Sequence, residues 1–194
     1  MSRNPRHPAR SERLIERPEH LALALFGDPV LRLPARDIPE AAFGSPELVT
    51  LVKETLALLD TFPSGVGLAG PQAGVPYRYF VTSCDGLRVA LFNPILVDPD
   101  PSAPRALGPE GCLSLPHWGG LVDRQINLSV RGRNVRGRWL TFSGHHLTAR
   151  LFAHEMDHLD AHLYTDWAIP GSLRADPEPP ELEETVEPDP TIGP

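Results

Sequence analysis

The sequence predicts an α+β domain, and three observations carry that reading. Two segments, residues 46–62 and 147–163, show the three-and-four spacing of amphipathic helices. Between them lie short runs that alternate apolar and polar residues, broken by Gly, Pro and Asp-Gly. Helix, strands and helix follow one another without the regular strand–helix alternation of a parallel sheet.

The elements follow in chain order. Residues 1–20 lack sustained periodicity and are expected to form a flexible extension. Gly27-Asp28-Pro29 and Leu33-Pro34 punctuate an extended segment. The first helix has Ser45 as N-cap, Pro46 at its first position and Glu47 in its first turn. Leu48, Leu51, Val52, Thr55, Leu58, Leu59 and Phe62 form its apolar stripe. A glycine-rich turn occupies residues 65–74. Strands are expected over 77–84 and 87–93, joined at Asp85-Gly86. Residues 94–109 read as turns, and 126–130 with 135–142 as a hairpin. The second helix follows, and Pro170-Gly171 is expected to end the domain. The organisation is thus an extension over 1–20, a body over 21–170 and an acidic, Pro-rich tail over 171–194, expected to be disordered.

Charge supports this division. The 194 residues carry a net charge of -7. Seven acids and one base lie between Ser172 and Pro194, so -6 belongs to that stretch and -1 to all the rest. A near-neutral body is a poor partner for phosphate backbones, so no direct nucleic-acid binding is expected. No apolar run approaches the ~20 residues that span a bilayer. Two cysteines make no disulfide framework. These features point to a cytoplasmic setting with reduced thiols.

The sharpest chemical signal is His154-Glu155-Met156-Asp157-His158. On a helix, positions i and i+4 share a face, so both imidazoles can reach one metal ion with Glu155 beside them. The competing reading is a surface helix with solvated histidines. Leu147 and Leu151 lie on the same face and offer an apolar wall, either as a pocket or simply as core. A catalytic metal needs a third protein ligand. On spacing alone, Cys112, Cys84, His145, His146, His162 and the acids stay open. Cys112 sits in Glu110-Gly111-Cys112-Leu113-Ser114, where Gly111 permits close backbone approach. Cys84 reads as a small buried residue and His145-His146 as solvated.

Three segments together resemble the signature motifs of peptide deformylases. Gly65-Val66-Gly67-Leu68-Ala69-Gly70-Pro71-Gln72 is similar to the first, Glu110-Gly111-Cys112-Leu113-Ser114 to the second and His154-Glu155-Met156-Asp157-His158-Leu159 to the third. Gly27-Asp28-Pro29-Val30-Leu31-Arg32 resembles that family's opening, so the similarity runs over about residues 21–166. Gly70 stands where the family usually has Ala, and Ala161 where Gly is common.

The resemblance implies short antiparallel or mixed sheets packed around a central C-terminal helix that carries the metal motif. It implies removal of the N-terminal formyl group from N-formyl-methionyl nascent peptides, with release of formate. Cys112, His154 and His158 would bind one divalent ion per chain, with water in the fourth position. Fe(II) would be the native ion, with Zn(II), Ni(II) or Co(II) as alternatives. Glu155 would be general base and then acid, while Gln72 and the Leu113 backbone N–H stabilise the oxyanion. Gly67 would present backbone groups to the peptide. Val66, Leu147 and Leu151 would hold the methionine side chain, and Arg124 would pair with Glu110 as structural support. Partners would be nascent chains, with transient proximity to the ribosome and no membrane. Two other readings compete: an endopeptidase-type metallohydrolase with a downstream ligand such as His162, and a non-catalytic peptide-binding relative.

Overall fold

The computed structural model describes residues 13–84 and 86–175. Helix α1 spans Pro46–Leu59, and Ser45 caps it by accepting from Leu48 N–H at 3.2 Å. Such a cap contributes about 1 kcal/mol. The helix stops three residues before the apolar stripe does. Thr61 and Phe62 instead close tight turns onto the Leu58 and Leu59 carbonyls.

Five strands form one antiparallel sheet in the order β1-β2-β3-β6-β7. They are β1 (Gly67–Ala69), β2 (Tyr79–Cys84), β3 (Leu87–Val97), β6 (Asn127–Arg133) and β7 (Trp139–His145). A second antiparallel sheet has the order β4-β5-β8, from β4 (Arg105–Cys112), β5 (Leu115–Gln125) and β8 (Arg174–Ala175). Helix α2 spans Leu147–Leu159.

Strand alternation divides the core between the helices. Tyr79, Val81 and Phe92 join Leu48, Leu51 and Leu59 of α1 in one buried cluster. Phe80, Leu91 and Val130 join Phe152, Met156 and Leu159 of α2 in another. Burial of a large apolar side chain contributes about 2–3 kcal/mol. Helix α2 therefore lies against the five-stranded sheet while also facing β5, which brings its polar residues between the two sheets.

Several sequence expectations need correction. Residues 94–109 are not simply turns. β3 runs on to Val97 past an irregularity between Phe92 and Ile95, and β4 begins at Arg105. β4 and β5 are poor in apolar alternation because much of their surface is solvated, so the period-two signal is weak. Residues 13–20 do not form a loose extension. Ile15 is fully buried in the α1 cluster, and Arg17 pairs with Glu54. Pairing also continues past residue 170: Leu121 N–H donates to the buried Ser172 hydroxyl, and β8 pairs with β5. The second helix ends at Leu159 rather than 163. Ala161 adopts a left-handed φ of 66°, and His162 N–H returns to the Asp157 carbonyl. Asp85, residues 1–12 and residues 176–194 lie outside the described residues. Among the described residues, no helix is long and apolar enough to cross a membrane.

Candidate active site

Three elements meet at the site. α2 supplies His154, Glu155 and His158; the β4–β5 hairpin supplies Glu110 and Cys112; the turn after β1 supplies Gln72. The hairpin is irregular. Gly111 pairs with Gly119, whereas Cys112 pairs with Leu115, so Pro116, His117 and Trp118 bulge outward. Irregularities of this kind re-aim a side chain beside an active site. Here Cys112 is turned toward α2, with its Sγ 3.3 Å from His158 Nε2.

One ligand atom from each of Cys112, His154 and His158 lies within 4.8 Å of the others. Ligands at usual zinc-type bond lengths in tetrahedral array stand roughly 3.5 Å apart, so the trio can close on one ion. Burial alone would raise the Cys112 thiol pKa, but hydrogen bonds from His154 and His158 outweigh it and bring it down to about 6. A thiolate with two imidazoles is a fitting donor set for a divalent transition ion. His145, His146, His162 and Cys84 lie outside this trio. His162 is half-exposed and stands beside Asp166, His145 and His146 are exposed, and Cys84 is buried in β2. Neither thiol is in a disulfide.

His154 is oriented from behind. Its Nδ1 lies 3.1 Å from Glu110 Oε2, which leaves Nε2 as the nitrogen that could face an ion, the arrangement of a carboxylate–histidine–metal relay. Arg124 donates to both Glu110 oxygens at 2.9 and 3.0 Å, and its Nη2 pairs with Asp157 at 2.7 Å. Burial pushes the Glu110 pKa upward, yet the His154 and Arg124 contacts prevail and hold it at about 2.

Glu155 has the opposite environment. It is fully buried, Oε2 has no hydrogen-bond partner among the described residues, and burial raises its pKa to about 7 despite the opposing pull of His154. Such a carboxyl exchanges protons near neutrality. Gln72 is fixed by accepting from Ala69 N–H at 2.8 Å through Oε1. Its Nε2 therefore points to Cys112 Sγ and Ser114 Oγ, each at 3.3 Å.

A cavity of about 640 Å³ opens over this cluster. Val66, Gly67, Leu113, Leu147 and Leu151 line it, as do Glu155 and His154. A side chain at Gly67 would strike Glu155 and Leu151, so the close approach of β1 to α2 requires glycine. A Cβ at Gly70 would meet the Tyr77 carbonyl and the Tyr79 ring, so the departure from Ala at this position has a steric reason. Gly111 is different. A Cβ there would make only ordinary contact with Trp118 O at 3.5 Å, so the expected close approach is absent.

Sequence reasoning missed Arg150, Asp157, Ser114 and the Glu110–His154 contact. Arg150 stands four residues before His154, so helical spacing could have flagged it. Asp157 and Ser114 lie inside the quoted motifs. The Glu110–His154 contact is tertiary and leaves no local signal.

A largely buried Cys-His-His trio, a side-chain amide and a buried carboxyl in one cleft of an α+β fold are the makings of a metal-dependent hydrolase. Comparison with known proteins narrows that class. The polypeptide deformylase family model matches residues 21–173. A peptide deformylase of Acidothermus cellulolyticus is 40% identical over 160 residues, covering 82% of this chain and 81% of that one. The crystal structure of peptide deformylase from Thermotoga maritima superposes with a TM-score of 0.71 at 32% identity, covering 78% of this chain and 99% of that one. A Met-Ala-Ser-bound class I type b peptide deformylase from Acinetobacter baumannii superposes with a TM-score of 0.69 at 26% identity, covering 76% and 98%. The chain belongs to the polypeptide deformylase family.

Proposed function

We propose that this chain hydrolyses the N-terminal formamide of formyl-methionyl nascent peptides through the residues gathered in the cleft. The observation that carries the assignment is the convergence of Cys112, His154 and His158 within 4.8 Å, with Gln72 Nε2 3.3 Å from the sulfur. Those three residues would hold one divalent ion, Fe(II) in the native protein or Zn(II), Ni(II) or Co(II) in its place. When bound, the ion lowers the pKa of water toward 7 and polarises the formyl oxygen.

The remaining steps belong to the chain. Glu155 takes a proton from the attacking water, whose oxygen bonds to the formyl carbon. Gln72 Nε2 and the Leu113 N–H donate to the oxygen as it becomes negative, each contributing on the order of 3 kcal/mol. Glu155 then delivers its proton to the amide nitrogen, the C–N bond breaks, and the remaining hydroxyl proton passes to the amine, so formate and an ammonium group leave. Gly67 presents backbone groups of β1 to the peptide from the cavity wall. Val66, Leu147 and Leu151 receive the methionine side chain, and formyl, the smallest acyl group, is the one a tight site admits while excluding larger ones. The catalytic unit is residues 21–170 together with the residues that pair to it at either end. A cytoplasmic setting, where thiols stay reduced, and transient proximity to the ribosome suit the substrate.

The test is formate release from formyl-Met-Ala-Ser by anaerobically purified, metal-loaded protein. Absence of formate from a loaded sample refutes the activity. Cys112→Ser with unchanged metal content refutes the ligand set.

A further inference from the structure

We propose that Arg150 is a positioning residue that clamps the Cys112-bearing hairpin to the histidine-bearing helix and so sets the metal site. The proposal rests on the ligand assignment above. Its guanidinium leaves α2 one turn before His154 and crosses to both strands of the hairpin. Nη1 donates to Glu110 Oε1 at 2.7 Å and to the Val122 carbonyl at 2.9 Å; Nη2 donates to the Ala106 carbonyl at 2.9 Å. The Gly108 carbonyl lies 3.4 Å from Nη1. The side chain is only 15% exposed.

Two features separate this clamp from ordinary packing. First, Glu110 Oε1 is shared between Arg150 and Arg124, while Oε2 is shared between Arg124 and His154. Arg150 thus fixes the carboxylate that orients a ligand ring, although it touches no ligand itself. Second, Arg124 reaches from β5 to Asp157 on α2, one turn after His154, and Arg150 reaches from α2, one turn before His154, to Glu110 on β4. The two cations hold the helix on both sides of His154 against the hairpin that presents Cys112. A planar five-donor fork can satisfy a carboxylate and two carbonyls together, whereas an ammonium is a single point charge. The backbone is shaped for this guest: a Cβ at Gly108 would stand 2.7 Å from Arg150 Nη2.

The experiment measures Co(II) affinity by competition with a chromophoric chelator, and the thiolate–Co(II) absorption, for wild type, Arg150→Met and Arg150→Lys. Gly108→Ala serves as a further variant that displaces the guanidinium without deleting it. The expected result is roughly 10–100-fold weaker Co(II) binding for Arg150→Met with altered absorption, as for other residues behind metal ligands. Arg150→Lys should recover only part of the loss, and Gly108→Ala should shift affinity in the same direction. If Arg150→Met does not fold, Gly108→Ala decides. Wild-type affinity and spectrum in a folded Arg150→Met, or in Gly108→Ala where that variant decides, overturn the proposal. Full recovery by Arg150→Lys overturns the role of the fork. Failure of the wild type itself to bind Co(II) would instead overturn the ligand assignment.

Discussion

Replacing Gly67 with Ala tests the site at its tightest point. The added Cβ would stand 2.6 Å from Leu151 Cδ1 and 2.9 Å from Glu155 Cδ, and would overlap Glu155 Oε1. Carbon atoms rest at about 3.5–4.0 Å, so something must move by roughly 1 Å. Leu151 is wedged in the wall of the cleft at 4% exposure. Glu155 Oε2 has no hydrogen bond to hold it, so the carboxyl is the group that yields. A misplacement of 1 Å in a reacting group costs about 100-fold. Overpacking should also cost about 1–3 kcal/mol of stability. The assay is kcat on formyl-Met-Ala-Ser by formate release, with metal content and melting temperature on the same sample. Full metal content, a lowered melting temperature and about 100-fold lower kcat are expected. A kcat within about threefold of wild type would refute the reasoning. Rate lost in step with metal would refute it too, because the displacement would then have reached His154 rather than Glu155.

Other substitutions probe separate parts of the argument. Glu155→Gln should keep its metal and lose at least about 100-fold in turnover, measured by formate release. Its metal-free form should also be the more stable one at neutral pH. The wild-type carboxyl has a folded pKa raised from 4.5 to about 7, so its stability contribution is present below pH 4.5 and lost as pH rises to 7. The loss is (7 − 4.5) × 1.36, or about 3 kcal/mol, and denaturant titrations at pH 4.5 and 8 should show it in wild type alone. Gln72→Ala should lower kcat by about 100–1,000-fold with metal retained, since it would remove the proposed oxyanion donor. Ala161→Gly should raise stability by about 1 kcal/mol in denaturant titration, because Ala161 holds a φ of 66°. Truncation after Ala175 should leave the rate on short formyl peptides unchanged. Truncation after Gly171 should lower the melting temperature by removing the Ser172 hydroxyl that Leu121 N–H donates to.

What could be read from the sequence was local. The Ser45-Pro46-Glu47 cap, the period of α1 and the β6–β7 hairpin are written in consecutive residues, and so is the His154–His158 pair. The α2 terminus was misjudged because Leu163 continues the apolar rhythm, while the chain turns at an alanine in a glycine conformation. β4 and β5 were missed because Gly108, Pro109, Gly111, Pro116, Gly119 and Gly120 read as turns. Their pairing is fixed by the partner strand, and by Arg150 reaching across from a helix some forty residues away in the chain. Spacing alone could not choose Cys112 over Cys84 as third ligand. That choice depends on a hairpin irregularity that turns one thiol to the helix while the other stays in the five-stranded sheet.

Glu110 and Glu155 show why residue type alone cannot assign a role. Both are buried carboxyls, and burial pushes each of them upward. Glu110 meets His154 and Arg124, which hold it at about 2, so at neutral pH it is an acceptor. Glu155 meets an unsubstituted glycine and apolar neighbours and rises to about 7, so it can take up and release a proton. A divalent ion held by Cys112, His154 and His158 would favour the charged form of both, but unequally in effect. Glu110 is already ionised and would only be held more firmly against His154. Glu155 would be drawn toward its carboxylate, the form that accepts a proton. A bound metal and the apolar wall would therefore act on Glu155 in opposite directions, and the balance between them would tune the proposed base. For that reason the fit of Gly67 and Leu151 against its carboxyl matters to the chemistry as well as to the packing.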